Sequence, residues 1–273
     1  MLPSGRFKIE TSNSFNLDIY PIKVEHRNSI DNNLMYEVSL VKDQWAETPI
    51  FTENCNITIL DKNQNILYKT EIDNFRDGDE VQNAFDMWVT LNPGAVGIAA
   101  GTNDGTGGEW VRYVKNNQLK AFLLEPSKFT FPILQQNYKS CMNSVLMNVA
   151  LNVEGGKVEF FTEKNGMGFS NSLIKKLAQT HYSEIESYQV TCVRIEDMLR
   201  LYNPKWIHLD IEGVDFQVIL EILKFPELNP EVIIFEHIYL LESELDILNE
   251  EFTKNNYSII RGQKHNSIAL KNL

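Results

Sequence analysis

Residues 96–111 read V-G-I-A-A-G-T-N-D-G-T-G-G-E-W-V, a short apolar run that breaks into a glycine-rich turn and then resumes as an amphipathic segment. A buried strand feeding such a turn is the opening of an α/β unit built to hold a phosphate- or nucleotide-type ligand. Gly101, Gly105 and the Gly107-Gly108 pair matter here. A residue without a Cβ lets the backbone pass close to a ligand and reaches positive φ without penalty. Glycine-rich turns are also common in surface loops, so the meaning of this one depends on the chain downstream of it.

Immediately downstream lies a second apolar run, residues 119–124 (L-K-A-F-L-L), ending on Glu125-Pro126. The proline cannot donate to a strand ladder, so the acid stands at a strand's C-terminal end. It lies about twenty residues beyond the turn, where a carboxylate in a nucleotide-binding unit accepts hydrogen bonds from two ribose hydroxyls. The plainer reading, an exposed loop acid, is the commoner fate of a glutamate.

From about residue 93 apolar strands and amphipathic helices alternate, the pattern of a mainly parallel sheet. Strands are expected at 94–100, 119–124, 144–150, 205–211, 231–237, 256–261 and 266–271, with helices at 110–116, 129–139, 195–201, 214–223 and 242–255. Residues 153–189 are the least regular. They are expected to hold a strand at 157–161 and a mobile loop at 166–172 (G-M-G-F-S-N-S) over the ligand edge, in which Phe169 could cover a ligand. The first 75 residues differ in texture, being Asn-rich with β-type runs at 34–41, 56–60 and 66–72, the last two joined by the polar loop 61–65 as a hairpin. A turn at 74–78 and a helix at 79–89 then lead into the α/β region.

Composition narrows the partners. The 273 residues suffice for one full α/β domain and an accessory module. With 25 basic against 37 acidic residues and a net charge of -12, the chain lacks the Lys/Arg footprint that nucleic acid requires. Cys55, Cys141 and Cys192 are far apart and odd in number, which suggests neither a disulfide framework nor a zinc site and fits a reducing cytoplasm. The start, M-L-P-S-G-R-F-K, lacks a signal peptide's apolar core, and no stretch approaches the roughly 20 apolar residues of a membrane span. The expectation is a soluble cytoplasmic protein.

The stretch 205–220, K-W-I-H-L-D-I-E-G-V-D-F-Q-V-I-L, is a buried strand ending in Asp210, a turn with Glu212 and Gly213, and an amphipathic helix. Taken in order with G-T-N-D-G-T-G-G-E-W-V, A-F-L-L-E-P, N-V-A-L-N, V-R-I-E-D-M-L and V-I-I-F-E-H, it resembles the FkbM family of S-adenosylmethionine-dependent methyltransferases over about residues 94–271. The resemblance implies a Rossmann-like, doubly wound α/β fold with a mainly parallel seven-stranded sheet for the domain at 76–273, and the β-type runs before it are expected to form a small all-β domain at 1–75. It implies that Gly101, Thr102, Asn103, Asp104 and Gly105 cradle the methionine end of the cofactor, with Asn103 in place of the middle glycine. Glu125 matches the ribose-binding acid, with Pro126 and Ser127 just beyond; Asn148, Val149 and Ala150 match the end of the third strand, near the adenine. Asp210 and Glu212 match the end of the fourth strand, where the methyl group meets the acceptor, and Glu236 and His237 match the fifth. One departure stands out: the usually acidic residue two before the first glycine is Ala99, for which Asp104 or Glu109 must compensate if cofactor affinity is to be kept.

Methyl transfer from a sulfonium is an in-line displacement, so the enzyme aligns acceptor and methyl and removes a proton where the acceptor is a hydroxyl. Asp210, Glu212 and His237 are the candidate catalytic residues. On a strand Asp210 and Glu212 would point to opposite faces, leaving one of them toward the methyl. His237 titrates near neutral pH, although a histidine at a strand end is often a satisfied rim residue. His208 reads as core, His265 as exposed, and Trp110 as packing a helix on the sheet. Asp210 and Glu236 with His237 would suit Mg²⁺, but no metal is expected. The acceptor implied by the resemblance is a hydroxyl of a sugar, glycan or related natural product, which the N-terminal module would help to orient. Two other readings remain open at this point: a nicotinamide-dependent oxidoreductase, which lacks G-x-G-x-x-G spacing and a role for D-x-E-G, and a catalytically silent nucleotide-binding protein of the same fold.

Overall fold

The structure, a computed structural model, describes residues 80–164, 170–228 and 230–272, and of the first 79 residues the backbone of six strands. The loops 61–65 and 74–78, residues 166–169 and Phe169 with them, lie outside the described residues. The chain divides into two compact units, Met1–Thr90 with Asn272–Leu273, and Leu91–Lys271.

The first unit holds β1 (Ser4–Phe7), β2 (Ile22–Asn28), β3 (Leu34–Leu40), β4 (Ala46–Pro49), β5 (Cys55–Leu60), β6 (Ile66–Ile72) and nearly all of helix α1 (Glu80–Leu91). β1 pairs with β4, and the other four form an antiparallel sheet in the order β3-β2-β5-β6. The two runs read as a hairpin, 56–60 and 66–72, are the adjacent antiparallel strands β5 and β6.

The second unit carries β7 (Val96–Ala100), α2 (Val111–Lys115), β8 (Lys120–Leu124), α3 (Phe131–Tyr138), β9 (Ser144–Met147), β10 (Ala150–Asn152), β11 (Gly156–Glu163), α4 (Lys175–His181), β12 (Ile185–Arg194), α5 (Ile195–Tyr202), β13 (Trp206–Leu209), α6 (Asp215–Leu223), β14 (Val232–Glu236), α7 (Glu242–Lys254), β15 (Tyr257–Arg261) and β16 (Asn266–Lys271). Seven strands form one sheet in the order β15-β16-β14-β13-β7-β8-β9. It is parallel from β14 to β9, and β16 runs antiparallel to both of its neighbours. This is the expected doubly wound α/β arrangement. From β7 the chain winds outward through β8 to β9, and on returning it winds the other way through β13 to β14, so the strand order reverses between β7 and β13. In open α/β sheets ligands bind outside the strands' carboxyl ends at that reversal.

The central strands W-I-H-L and V-I-I-F-E are buried along their whole length, as parallel strands covered on both faces must be. Helices pack there through one stripe each: Ile195, Met198 and Leu199 of α5, Val218, Ile219 and Ile222 of α6, and Leu248 and Phe252 of α7 meet Ile98, Leu209 and Ile233 of the sheet. Spacings of three and four residues place these side chains on one helix face. Each fully buried aliphatic contributes roughly 1.5–3 kcal/mol. α5 ends at Asn203, which takes a left-handed φ of 42° and returns its N–H to the Leu199 carbonyl at 2.9 Å. Among the described residues, no helix is long and apolar enough to cross a membrane.

Two differences from the sequence reading concern the region after β9. The single strand expected at 144–150 is two strands in different sheets: β9 closes the edge of the large sheet, and β10 joins a small sheet of order β10-β12-β11. The irregular region 153–189 also contains α4 and the first half of β12, neither of which was expected.

Gly97, buried in the middle of β7, has no room for a Cβ because one would enter the indole ring of Trp206 on neighbouring β13. A Gly97→Val chain is therefore expected to be destabilised by about 3 kcal/mol or more, the upper range for overpacking a rigid core. Urea denaturation of the two proteins checks this, and an unchanged midpoint would contradict the packing described.

Candidate functional site

The strand reversal is stitched by backbone. Gly101 N–H and Thr102 N–H donate to the Leu124 carbonyl at 3.0 and 3.2 Å, and Asp210 N–H donates to the Ala100 carbonyl at 3.1 Å. Gly101 has φ 76°, and its Cα lies so close to the Asp210 carbonyl that a Cβ would overlap it. Two residues on, Asn103 adopts a φ of 48°. Asparagine tolerates this left-handed conformation better than most residues with a side chain, which explains how it stands in for a glycine. The loop is braced from α3, where the Asn137 amide donates to the Asp104 carbonyl at 2.8 Å and the Tyr138 hydroxyl to the Gly105 carbonyl at 2.9 Å.

Glu125 leaves the end of β8 and is 5% exposed. Its Oε2 accepts the Asn103 N–H at 2.7 Å and its Oε1 the Ser127 N–H at 2.8 Å. Burial pushes its carboxyl up to about 7, against the pull of those two donors. A second lone pair on each oxygen remains for a ligand. Asn148 donates to the carbonyls of Glu125 and Pro126 at 2.8 and 3.2 Å.

The opposite wall comes from the ends of β13 and β14. The expectation that Asp210 and Glu212 face opposite ways assumed an extended strand. β13 ends at Leu209, and Glu212 has a φ of 53° in the turn beyond it. The turn brings both carboxylates, with Glu236 of β14, to one place, where one oxygen from each lies within 4.8 Å of the others. Such a φ is uncommon for a long side chain and signals strain held by surrounding structure. Ser172 Oγ–H, donating to the Glu212 carbonyl at 2.7 Å, and the Asp215 carboxylate, accepting the Ile211 and Gly213 N–H groups at 3.4 and 3.3 Å, provide that hold.

All these acids titrate high. Burial, then neighbouring Asp210 and Asp215, pushes Glu212 up to about 8; burial and Asp210 push Asp215 up to about 7. Asp210 and Glu236 are also raised, chiefly by burial, with the negative charge of neighbouring acids adding to it. Two carboxylates a little under 5 Å apart repel by roughly 3–4 kcal/mol at an effective dielectric of about 20, so the group resists full ionisation. Glu109 is the counter-example. Burial would raise it, but Nε2 of His208 at 2.9 Å and the Asn266 amide at 2.9 Å outweigh burial and bring it down to about 2. His208 is raised in turn despite its own burial, because the hydrogen bond and charge of Glu109 favour its protonated form.

These groups surround one cavity of about 380 Å³. Of the residues singled out from sequence, Gly101, Thr102, Asn103, Asp104, Glu125 and Pro126 line it, as do Val149, Ala150, Asp210, Glu212 and Glu236. Gly105, Ser127 and Asn148 stand behind this lining as braces. Glu109, proposed to compensate for Ala99, gives its carboxylate to His208 and Asn266. His237 lies outside the lining: it is buried, its Nδ1 meets Ser267 Oγ at 3.0 Å, and burial and the Arg261 charge lower its pKa. Trp110 is buried against Tyr138 and His208 while also lining the cavity. Sequence reasoning missed His208 and Tyr239 as lining residues. The register partner of Ala99 is His208, so a search across neighbouring strands for a residue facing the missing acid would have found the histidine.

No curated protein matches the chain. Among solved structures it is similar to a methyltransferase FkbM from Methylobacillus flagellatus, at 14% identity and a TM-score of 0.45, covering 65% of this chain and 43% of that one. It therefore spans less than half of that protein. It is also similar to precorrin-6y C5,15-methyltransferase from Geobacter metallireducens (13% identity, TM-score 0.40, 70% and 89% covered) and to the fibrillarin pre-rRNA processing protein of Methanococcus jannaschii (7%, 0.38, 66% and 67%). The family model of the methyltransferase FkbM domain matches residues 100–259, more than half of the chain, and the protein belongs to that family.

Proposed function

We propose that the protein transfers a methyl group from S-adenosylmethionine to a hydroxyl of a sugar, glycan or related natural product. The observation that carries this is the joining of Gly101–Gly105 to Glu125 by the Asn103 N–H, between the carboxyl ends of β7 and β8 beside the strand reversal. A turn held close by a glycine that admits no Cβ, facing a buried carboxylate with free lone pairs, fits a nucleoside carrying an amino-acid tail. Gly101 to Asp104 would hold the methionine portion, Glu125 the ribose hydroxyls and Val149 to Leu151 the adenine. When bound, the cofactor supplies an electrophilic methyl group on a sulfonium.

The chain's own part is to align the acceptor, exclude water and take its proton. Asp210 and Glu212 border the space between the cofactor cradle and the Tyr239 side of the cavity. Either carboxylate, held close to its partner and thus more basic than an ordinary acid, suits removal of a hydroxyl proton as the methyl departs. Among the described residues no Lys or Arg lines the cavity. An anionic acceptor would meet the acids Asp210, Glu212 and Glu236 with no lysine or arginine to receive it, whereas a neutral polyhydroxyl compound would find hydrogen-bond acceptors.

Incubation with methyl-labelled cofactor and a panel of sugars and glycans should give labelled methyl ethers; label appearing only on amines or carboxylates would overturn the hydroxyl assignment. Glu125→Gln should weaken S-adenosylhomocysteine binding about tenfold to a hundredfold, the worth of hydrogen bonds to a charged group, as read by calorimetry. The pH dependence has a defined sign. Ribose hydroxyls donate to the ionised carboxylate, so binding lowers a pKa that stands near 7 in the free protein. Affinity should then level off above about pH 7 and fall below it by up to about tenfold per pH unit. Titrations across that range test this, and Glu125→Gln should abolish the slope.

A further inference from the structure

We propose that Asp210, Glu212 and Glu236 form a binding site for one divalent cation of the Mg²⁺/Mn²⁺ class. β13 and β14 are parallel neighbours with Leu209 opposite Phe235, so the next residues, Asp210 and Glu236, stand side by side at the sheet's carboxyl edge. The left-handed turn adds Glu212. One oxygen from each lies within 4.8 Å of the other two, comparable with the ~4–5 Å between oxygens on opposite sides of a cation bound at about 2.1–2.5 Å.

Proximity of acids is not itself a site; what points to a ligand is the state of their other oxygens. Glu236 is 8% exposed and Glu212 9%, and in each the Oε2 atom is fully buried with no hydrogen-bond partner. Both side chains line the cavity. A buried carboxylate oxygen without a donor costs free energy that proteins normally avoid. Among the described residues no lysine or arginine lines the cavity to relieve it, and its two histidines act on Asp210 rather than on these two atoms: His208 is held by Glu109, and His265 is exposed. The three carboxylates make a hard, all-oxygen donor set. Such a set selects Mg²⁺, Mn²⁺ or Ca²⁺ over zinc and copper. Three protein ligands also leave coordination positions for water or for an acceptor oxygen, as Mg²⁺ sites usually do. That last role rests on the O-methyl reading; the cation site does not.

The test uses the full chain, stripped with chelator and desalted, and titrated with Mn²⁺ while free Mn²⁺ is followed by electron paramagnetic resonance. One Mn²⁺ per chain is expected, displaced by excess Mg²⁺, with a rise in thermal midpoint on binding. Glu236→Gln and Glu212→Gln should each weaken Mn²⁺ binding at least about tenfold and lose the midpoint rise, while each keeps a cooperative melt. Absence of stoichiometric Mn²⁺ binding by the unmodified chain, or unchanged affinity in both folded variants, overturns the proposal. S-adenosylhomocysteine titrated in parallel separates the two readings: its failure to bind counts against the methyltransferase reading alone, and Mn²⁺ binding stands or falls by itself.

Discussion

The close passage of Gly101 against the Asp210 carbonyl is the constraint from which the site derives. It can exist only where the strand order reverses, because only there do the chain segments leaving β7 and β13 diverge and open a crevice between them. It demands a glycine, since a Cβ would occupy the carbonyl's position. It also fixes the distance between the two halves of the site. The N–H groups of Gly101 and Thr102 tie one half to the end of β8, and the Asp210 N–H ties the other to the end of β7. The cradle and the carboxylate wall are thus each anchored by backbone to the carboxyl end of a neighbouring strand, and they meet at Gly101.

How much of this the sequence made legible depends on burial. The strands of the large sheet were readable because runs such as W-I-H-L and V-I-I-F-E are buried on both faces and carry a continuous apolar signal. β12 was not, because it belongs to a small sheet and is largely half-exposed; its face is marked only by Val190 and Cys192, with partly buried Tyr188 beside them. That alternation was present in I-E-S-Y-Q-V-T-C-V-R, but its polar residues read as irregular chain. α4 buries only Ala178 and so shows no stripe. The apolar run 144–150 concealed a break at Asn148 because composition does not say which sheet a strand joins.

The site divides along the same line. Residues placed by a turn that glycine or proline announces, Gly101 to Asp104 and Glu125, line the cavity. Those whose direction depends on an unannounced backbone conformation depart from the sequence argument. The alternation rule separates Asp210 from Glu212 only while the chain is extended. The chain ceases to be extended at Leu209, and a left-handed glutamate is the last conformation its residue type would suggest. His237 continues a buried strand and spends its imidazole on Ser267, a partner from an antiparallel strand that no local pattern reveals.

The contrast between Glu109 and Glu125 shows what decides charge in this cavity. Both are glutamates largely withdrawn from solvent that accept hydrogen bonds, yet one is held down at about 2 and the other pushed up to about 7. The difference is a cation: His208 faces Glu109, while Glu125 has only neutral N–H donors. Neutral donors recover part of the hydration a carboxylate loses on burial, and a facing positive charge recovers the rest. By the same reasoning the Glu109–His208 pair cancels itself and contributes little field to the cavity. What the cavity presents is the acid cluster of Asp210, Glu212 and Glu236, which burial and mutual repulsion keep from ionising fully. Each proton lost from that cluster leaves a charge that no lysine or arginine of the described lining answers, so the wall favours a cationic ligand over an anionic one before any specific contact is made.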